Sequence, residues 1–248
     1  MNELFGIKHI ILIVISLAVI ISGYFLTRKL KFETLCKILL IIAIISEMVK
    51  TITYIVINED KYGGLLPKND LPFQLCSIQL ILVAIVVFAK HEKLKRVILS
   101  FMMPSCLFGG IAAILIATSS SLNVWAITIQ YFIYHASLCV FALQLLTRKE
   151  FSWNVKDYGT SLIFIVGMFF FAIYMNSMMF DGFQSTNFMY VVNPPQKNLP
   201  YLNENQGWLM YMVKYAALVL LCITLCYIKP IIIAFKNKTK KQEKDTKV

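Results

Sequence analysis

Seven apolar runs, each of about 20 residues and separated by short polar segments, leave this chain few folds to choose from. They are His9–Leu26, Thr34–Ile57, Leu71–Ala89, Val97–Thr118, Leu122–Leu146, Tyr158–Met179 and Trp208–Ile228. A helix of that length is ~30 Å long, the thickness of a bilayer's hydrocarbon core. Inside it each backbone N–H and C=O must be satisfied within the segment, which a helix achieves and an open strand does not. The reading is an all-α polytopic bundle of seven transmembrane helices forming one domain over residues 1–234. Composition agrees: 58% of the residues are hydrophobic and 15% charged, against ~25% charged in soluble domains. A soluble enzyme is excluded. The first run is read as a retained anchor rather than a signal peptide. No A-x-A site follows it, and Arg28, Lys29 and Lys31 do.

The 24 basic residues outnumber the 13 acidic ones. In a soluble protein this excess would suggest nucleic acid; in a membrane protein it encodes topology. Seventeen Lys and Arg fall in the first, third and fifth loops and the C-terminal tail, four in the N-terminus and the other loops, and three within the runs. The bias predicts an extracytoplasmic N-terminus and a cytoplasmic C-terminus in the plasma membrane. The tail Phe235–Val248 is too polar and too short to fold alone, and reads as a topology determinant lying on anionic lipid. Membrane phospholipids are the expected partners, and nucleic acid is not. Six cysteines (Cys36, Cys76, Cys106, Cys139, Cys222 and Cys226) lie in apolar runs with no C-x-x-C, so neither a disulfide framework nor a metal site is expected. Cys222 and Cys226, one turn apart, read as packing. No nucleotide, calcium or zinc motif occurs, and no cofactor is expected.

Charged and polar side chains at bilayer depth cost free energy and so need a reason. Glu47 and Lys50, three residues apart on one helical face, make either a self-neutralising pair or half of a substrate site. Gln74, Cys76 and Gln79 open the third run; Asn123, Gln130, Tyr131 and His135 lie in the fifth; Asn176 ends the sixth; Tyr211 and Lys214 begin the seventh. All fall in the extracytoplasmic half, which predicts a polar cavity open outward. His135 is either a satisfied core group or a functional one. Pro104, Gly109 and Gly110 mark either a broken transporter helix or a kink repaired by its neighbours. Trp208, Tyr211, Tyr201 and Tyr190 read mainly as an interfacial belt. The long loop 180–207 contains Asp181, Asn187, Tyr190, Asn193, Pro194, Pro195 and Pro200. It is too aromatic for a disordered linker and is expected to fold down as a lid.

Several segments together resemble the YwaF-like (TP0381-type) bacterial integral membrane family, whose eukaryotic relative is transmembrane protein 164. They are FGIKH at Phe5–His9, LPFQLCS at Leu71–Ser77, His135 within YFIYHAS, NFMYVVNPP at Asn187–Pro195, and Trp208 with Tyr211. LP-x-x-LCS is the most specific. The chain departs from the family pattern at Gln74, commonly His or Glu, at Phe188, usually Tyr, and at Leu209–Met210, where a proline is expected. The resemblance implies lipid acyl chemistry, because the eukaryotic relative resembles a phospholipid acyltransferase. Both are similar in plan to intramembrane fatty-acid-ester hydrolases with a Thr nucleophile and a His. By that analogy Cys76 takes the nucleophile's place and His135 the base's. Glu47, Lys50, Gln79, Tyr131, Asn187, Tyr190 and Lys214 are the expected substrate-binding residues. Gln79, Tyr131 or Lys214 would face an oxyanion, and Lys50 and Lys214 a lipid phosphate. The competing readings are a small-solute transporter using Glu47, Lys50 and Lys214, and a non-catalytic seven-span sensor. The dyad makes one geometric demand. Counted along ideal helices, Cys76 is ~8 Å below Leu71 and His135 ~20 Å below Leu122. They reach one level only if the third span begins nearer Pro67 and the turn Ser119–Asn123 stands clear of the bilayer.

Overall fold

A computed structural model describes residues 4–57, 64–118, 122, 124–180, 186–196, 199–203, 205 and 207–245. Among them are eight α-helices: α1 (Ile7–Thr27), α2 (Phe32–Ile57), α3 (Leu75–Phe88), α4 (Glu92–Leu115), α5 (Trp125–Thr147), α6 (Val155–Met178), α7 (Trp208–Cys226) and α8 (Ile228–Asp245). Seven segments, α1 to α7 with Lys68–Gln74 leading into α3, are long and apolar enough to cross a membrane. The protein is a polytopic helical bundle. Asn123 and Asp181, both singled out in the sequence, lie outside the described residues.

The central element is α5, packed against α1, α2 and α4. Its buried face includes Phe132, Leu138, Phe141, Ala142 and Leu145. By contrast α1 buries only His9 and Ser16 and exposes Ile7, Ile11, Val14 and Ile15. In water such a face would be an anomaly; here lipid is the solvent. The helices α4 and α5 approach each other unusually closely at Gly110. A Cβ there would sit 2.6 Å from Cys139 Sγ and 2.9 Å from the His135 carbonyl oxygen, so only glycine fits without movement.

Pro104 lies inside α4 without breaking it. A proline has no N–H to offer the carbonyl four residues earlier, here that of Ser100. The Tyr227 hydroxyl, fully buried, supplies the missing donor at 2.8 Å. This is the repaired kink, not the broken helix. On the same face, Arg96 grips Asp157 with two bonds of 2.6 and 2.7 Å. Asp157 also closes a capping box with Asn154 that starts α6.

Of the boundaries that differ from the sequence expectation, three bear on the argument, two of them at the site. Pro72 and its neighbours are not helical, and α3 starts only at Leu75, after a short 3-10 turn at Lys68–Asp70. The fifth helix starts at Trp125 rather than Leu122. Third, the polar tail does not have to fold by itself. It continues a helix that begins at Ile228, so its residues extend an existing nucleus instead of forming one.

Candidate functional site

Glu47, Lys50, Gln74, Cys76, Gln79, Gln130, Tyr131 and His135, which the sequence scatters over three spans, meet around one cavity of about 530 Å³, within the ordinary range for small-ligand sites; Asn176, Tyr211 and Lys214 do not line it. The wall from α5 is a helical stripe: Ile127, Gln130, Tyr131, Tyr134, His135 and Leu138. Ser46, Glu47, Lys50 and Tyr54 form the α2 wall, and Ser105, Gly109, Ala112 and Ala113 the α4 wall. The non-helical lead-in to α3 contributes Asn69, Asp70, Leu71 and Gln74. Irregular backbone at membrane depth is tolerated where it lines such a cavity.

Cys76 is in the first turn of α3, half-buried and on the cavity wall. The first helical bond of α3 runs from the Ile78 N–H to the Gln74 carbonyl, so the N–H groups of Leu75, Cys76 and Ser77 have no partner within the helix. The Tyr134 hydroxyl donates to the Cys76 carbonyl at 2.7 Å, fastening this turn to α5. His135, the next residue, is 3% exposed. Its Nδ1 lies 2.6 Å from the Tyr131 carbonyl oxygen. A carbonyl only accepts, so this contact assigns the proton to Nδ1 and leaves Nε2 as the basic nitrogen.

Glu47 and Lys50 pair at 2.6 Å. Ser77 joins them, accepting from Lys50 at 3.4 Å and donating to the second Glu47 oxygen at 3.3 Å. Gln79 donates to Ser105 at 3.1 Å and accepts from the Cys106 thiol at 3.3 Å. The Tyr131 hydroxyl gives its proton to the Ala113 carbonyl at 2.9 Å, so it has none left for an oxyanion. Eight of the nine residues expected at the site line the cavity: Glu47, Lys50, Cys76, Gln79, Tyr131, His135, Asn187 and Tyr190. Lys214 is not on its wall; its ammonium lies 5.4 Å from the centre of the Tyr201 ring.

The cavity's roof is the segment 186–195, and side chains hold it by its backbone. Gln74 accepts from the Met189 N–H at 2.8 Å and donates to the Asn187 carbonyl at 3.2 Å. Asn176 accepts from the Phe188 N–H at 2.8 Å and donates to the Phe188 carbonyl at 3.2 Å. From α7, Trp208 bonds the Val191 carbonyl, Tyr211 the Tyr190 carbonyl and Tyr215 the Met189 carbonyl. These ties hold Met189 and Tyr190 at φ values of 54°, a left-handed conformation costing about 1–3 kcal/mol for each such residue. Asn187 is a brace within the roof: its carboxamide accepts from Val192 and Asn193 and donates to the Asn193 carbonyl. Burial pushes the Tyr190 phenol up to about 12, so it stays neutral at physiological pH. Tyr211, read from sequence as part of an interfacial belt, is 2% exposed and belongs to this clamp.

Sequence reasoning missed Tyr134, Ser77, Ser105 and Tyr215, which are ordinary helix residues until their partners are known. It also missed His9, buried between the Phe5 N–H at 3.0 Å and the Ile114 carbonyl at 2.9 Å. The FGIKH segment was the available signal for it.

These contacts define a class: a multi-pass membrane protein whose helices line a largely apolar cavity, set with Glu47, Lys50, Cys76 and His135, under a clamped loop. The chain belongs to the TMEM164 family, whose model matches residues 4–227. No curated protein and no solved structure matches it.

Proposed function

We propose that the protein is a membrane enzyme of lipid acyl chemistry, a transferase or ester hydrolase, with Cys76 as nucleophile and His135 as base. The observation that carries this reading is that a thiol on the first turn of a helix and an imidazole with Nε2 as its basic nitrogen line one cavity. Nε2 takes the thiol proton as Sγ attacks the ester carbonyl of a phospholipid. The developing oxyanion is met by N–H groups at the start of α3, and the second N–H of Gln79 points to the same role. Collapse expels the alcohol, which takes the proton back from His135 and leaves an acyl thioester. Water or a second lipid alcohol then accepts the acyl group and frees the thiol. The Glu47–Lys50–Ser77 cluster offers a polar headgroup its partners within the same cavity.

Transport is less well supported. Next to the cavity the bundle is filled by Phe101, Met102, Met103, Phe141 and Leu145, all at most 1% exposed, and a transporter needs access from both faces. With the bundle oriented by its basic loops, the cavity lies toward the extracytoplasmic side of the plasma membrane. A thiol-directed acyl-ester probe applied to membranes tests the reading. Cys76→Ser should abolish labelling, and His135→Ala should slow it roughly 100-fold or more while the melting temperature holds. Labelling that persists in Cys76→Ser rejects the nucleophile.

A further inference from the structure

We propose that α8 is a membrane-surface helix that binds the anionic headgroups of the bilayer in which the bundle sits. The inference is independent of any chemistry in the cavity. Only Tyr227 separates α7 from α8, and that residue is pinned, with its ring fully buried and its hydroxyl on the Ser100 carbonyl. The start of α8 is therefore held at the end of the bundle, at the level of the headgroups. Ile231 packs back on the core, but Ile228, Ile232 and Phe235 remain 48, 47 and 68% exposed. Their i, i+4, i+7 spacing puts them on one stripe beside Ile231. At 100° per residue, Lys229 and Lys236 flank one side of that stripe and Lys238 the other. Residues 228–245 carry six lysines and two acidic residues.

An apolar stripe edged by lysines next to a transmembrane helix matches the boundary between acyl chains and phosphates. Ile228, Ile232 and Phe235 enter the acyl side, and the lysine stems lie along it with their ammonium groups among the phosphates; Ile233 lies off this stripe. The loops at this end are themselves net basic, with Arg28, Lys29, Lys31, Lys90, Lys93, Arg148 and Lys149 against Glu33, Glu92 and Glu150, and do not supply the excess negative charge that the tail's lysines call for. Anionic lipid supplies the complementary charge at ~1 kcal/mol per lysine.

Hydrogen exchange of the full chain in nanodiscs tests this. One disc is phosphatidylcholine alone; the other has about a quarter of its lipid as phosphatidylglycerol. The amides from Lys236 to Asp245 should exchange about tenfold more slowly, or better, in the anionic disc, and high salt should remove the difference. The variant K229Q/K236Q/K238Q, altered only at exposed positions, should lose most of it while α1 to α7 keep their protection. Phe235→Asp should speed exchange in both discs. Equal rates in the two discs for the unaltered chain, or a difference that survives the lysine substitutions, would overturn the proposal.

Discussion

The Tyr134 hydroxyl and the Cys76 carbonyl, 2.7 Å apart, tie the helix that carries His135 to the first turn of the helix that carries the thiol. Tyr134→Phe keeps the ring and removes the tie. The expected loss of stability is about 1 kcal/mol, with probe labelling of Cys76 slowed several-fold. A melting temperature that falls while labelling keeps its rate would mean that the bond supports the fold only.

Glu47 and Lys50 should depend on each other. Either single change to Ala strands a charge near the cavity, whereas the double change removes both. A double-mutant cycle read by thermal unfolding in detergent should give a coupling of about 1–3 kcal/mol. Strict additivity would mean that Ser77 and cavity water satisfy each charge separately.

Tyr227→Phe should destabilise the protein by about 1–3 kcal/mol, the cost of leaving the buried Ser100 carbonyl without a donor. The loss should vanish when Pro104→Ala is added, because an N–H at position 104 restores the helical bond. Measured unfolding of the two single variants and the pair decides the matter.

Gly110→Ala puts a methyl group 2.6 Å from Cys139 Sγ and 2.9 Å from the His135 carbonyl. A backbone oxygen cannot rotate away, so α4 and α5 must separate, at about 1–3 kcal/mol. Cys139→Ala relieves only the sulfur clash and should restore part of the loss. Thermal melts of the single and double variants provide the comparison.

The spans and the gathering of polar side chains were legible because lipid imposes both. Backbone satisfaction fixes helix length, and the expense of buried charge leaves Glu47, Lys50 and His135 few places to point. The start of α3 was less legible, since Leu71–Ser77 is apolar enough to pass for the first turns of a span; Pro72 was the sign that it is not. Tyr134 and Tyr227 gave no sign. A tyrosine within an apolar helix reads the same whether its hydroxyl meets lipid headgroups or a particular carbonyl far along the chain. Lys214 misled for a related reason. Sequence position says nothing of rotation about the α7 axis, which is set by packing, and that rotation places the ammonium over Tyr201.

The roof of the cavity also bears on how the protein is made. Its left-handed pair, Met189 and Tyr190, is held by side chains from three places: Gln74 before α3, Asn176 in α6, and Trp208, Tyr211 and Tyr215 in α7. The last of these leaves the ribosome after everything else the cavity needs. A chain arrested before α7 would contain Cys76 and His135 beneath a loop that has the bonds from Gln74 and Asn176 but lacks the three from α7. The roof thus gains its full set of ties only once α7 has docked, long after the residues beneath it have been synthesised.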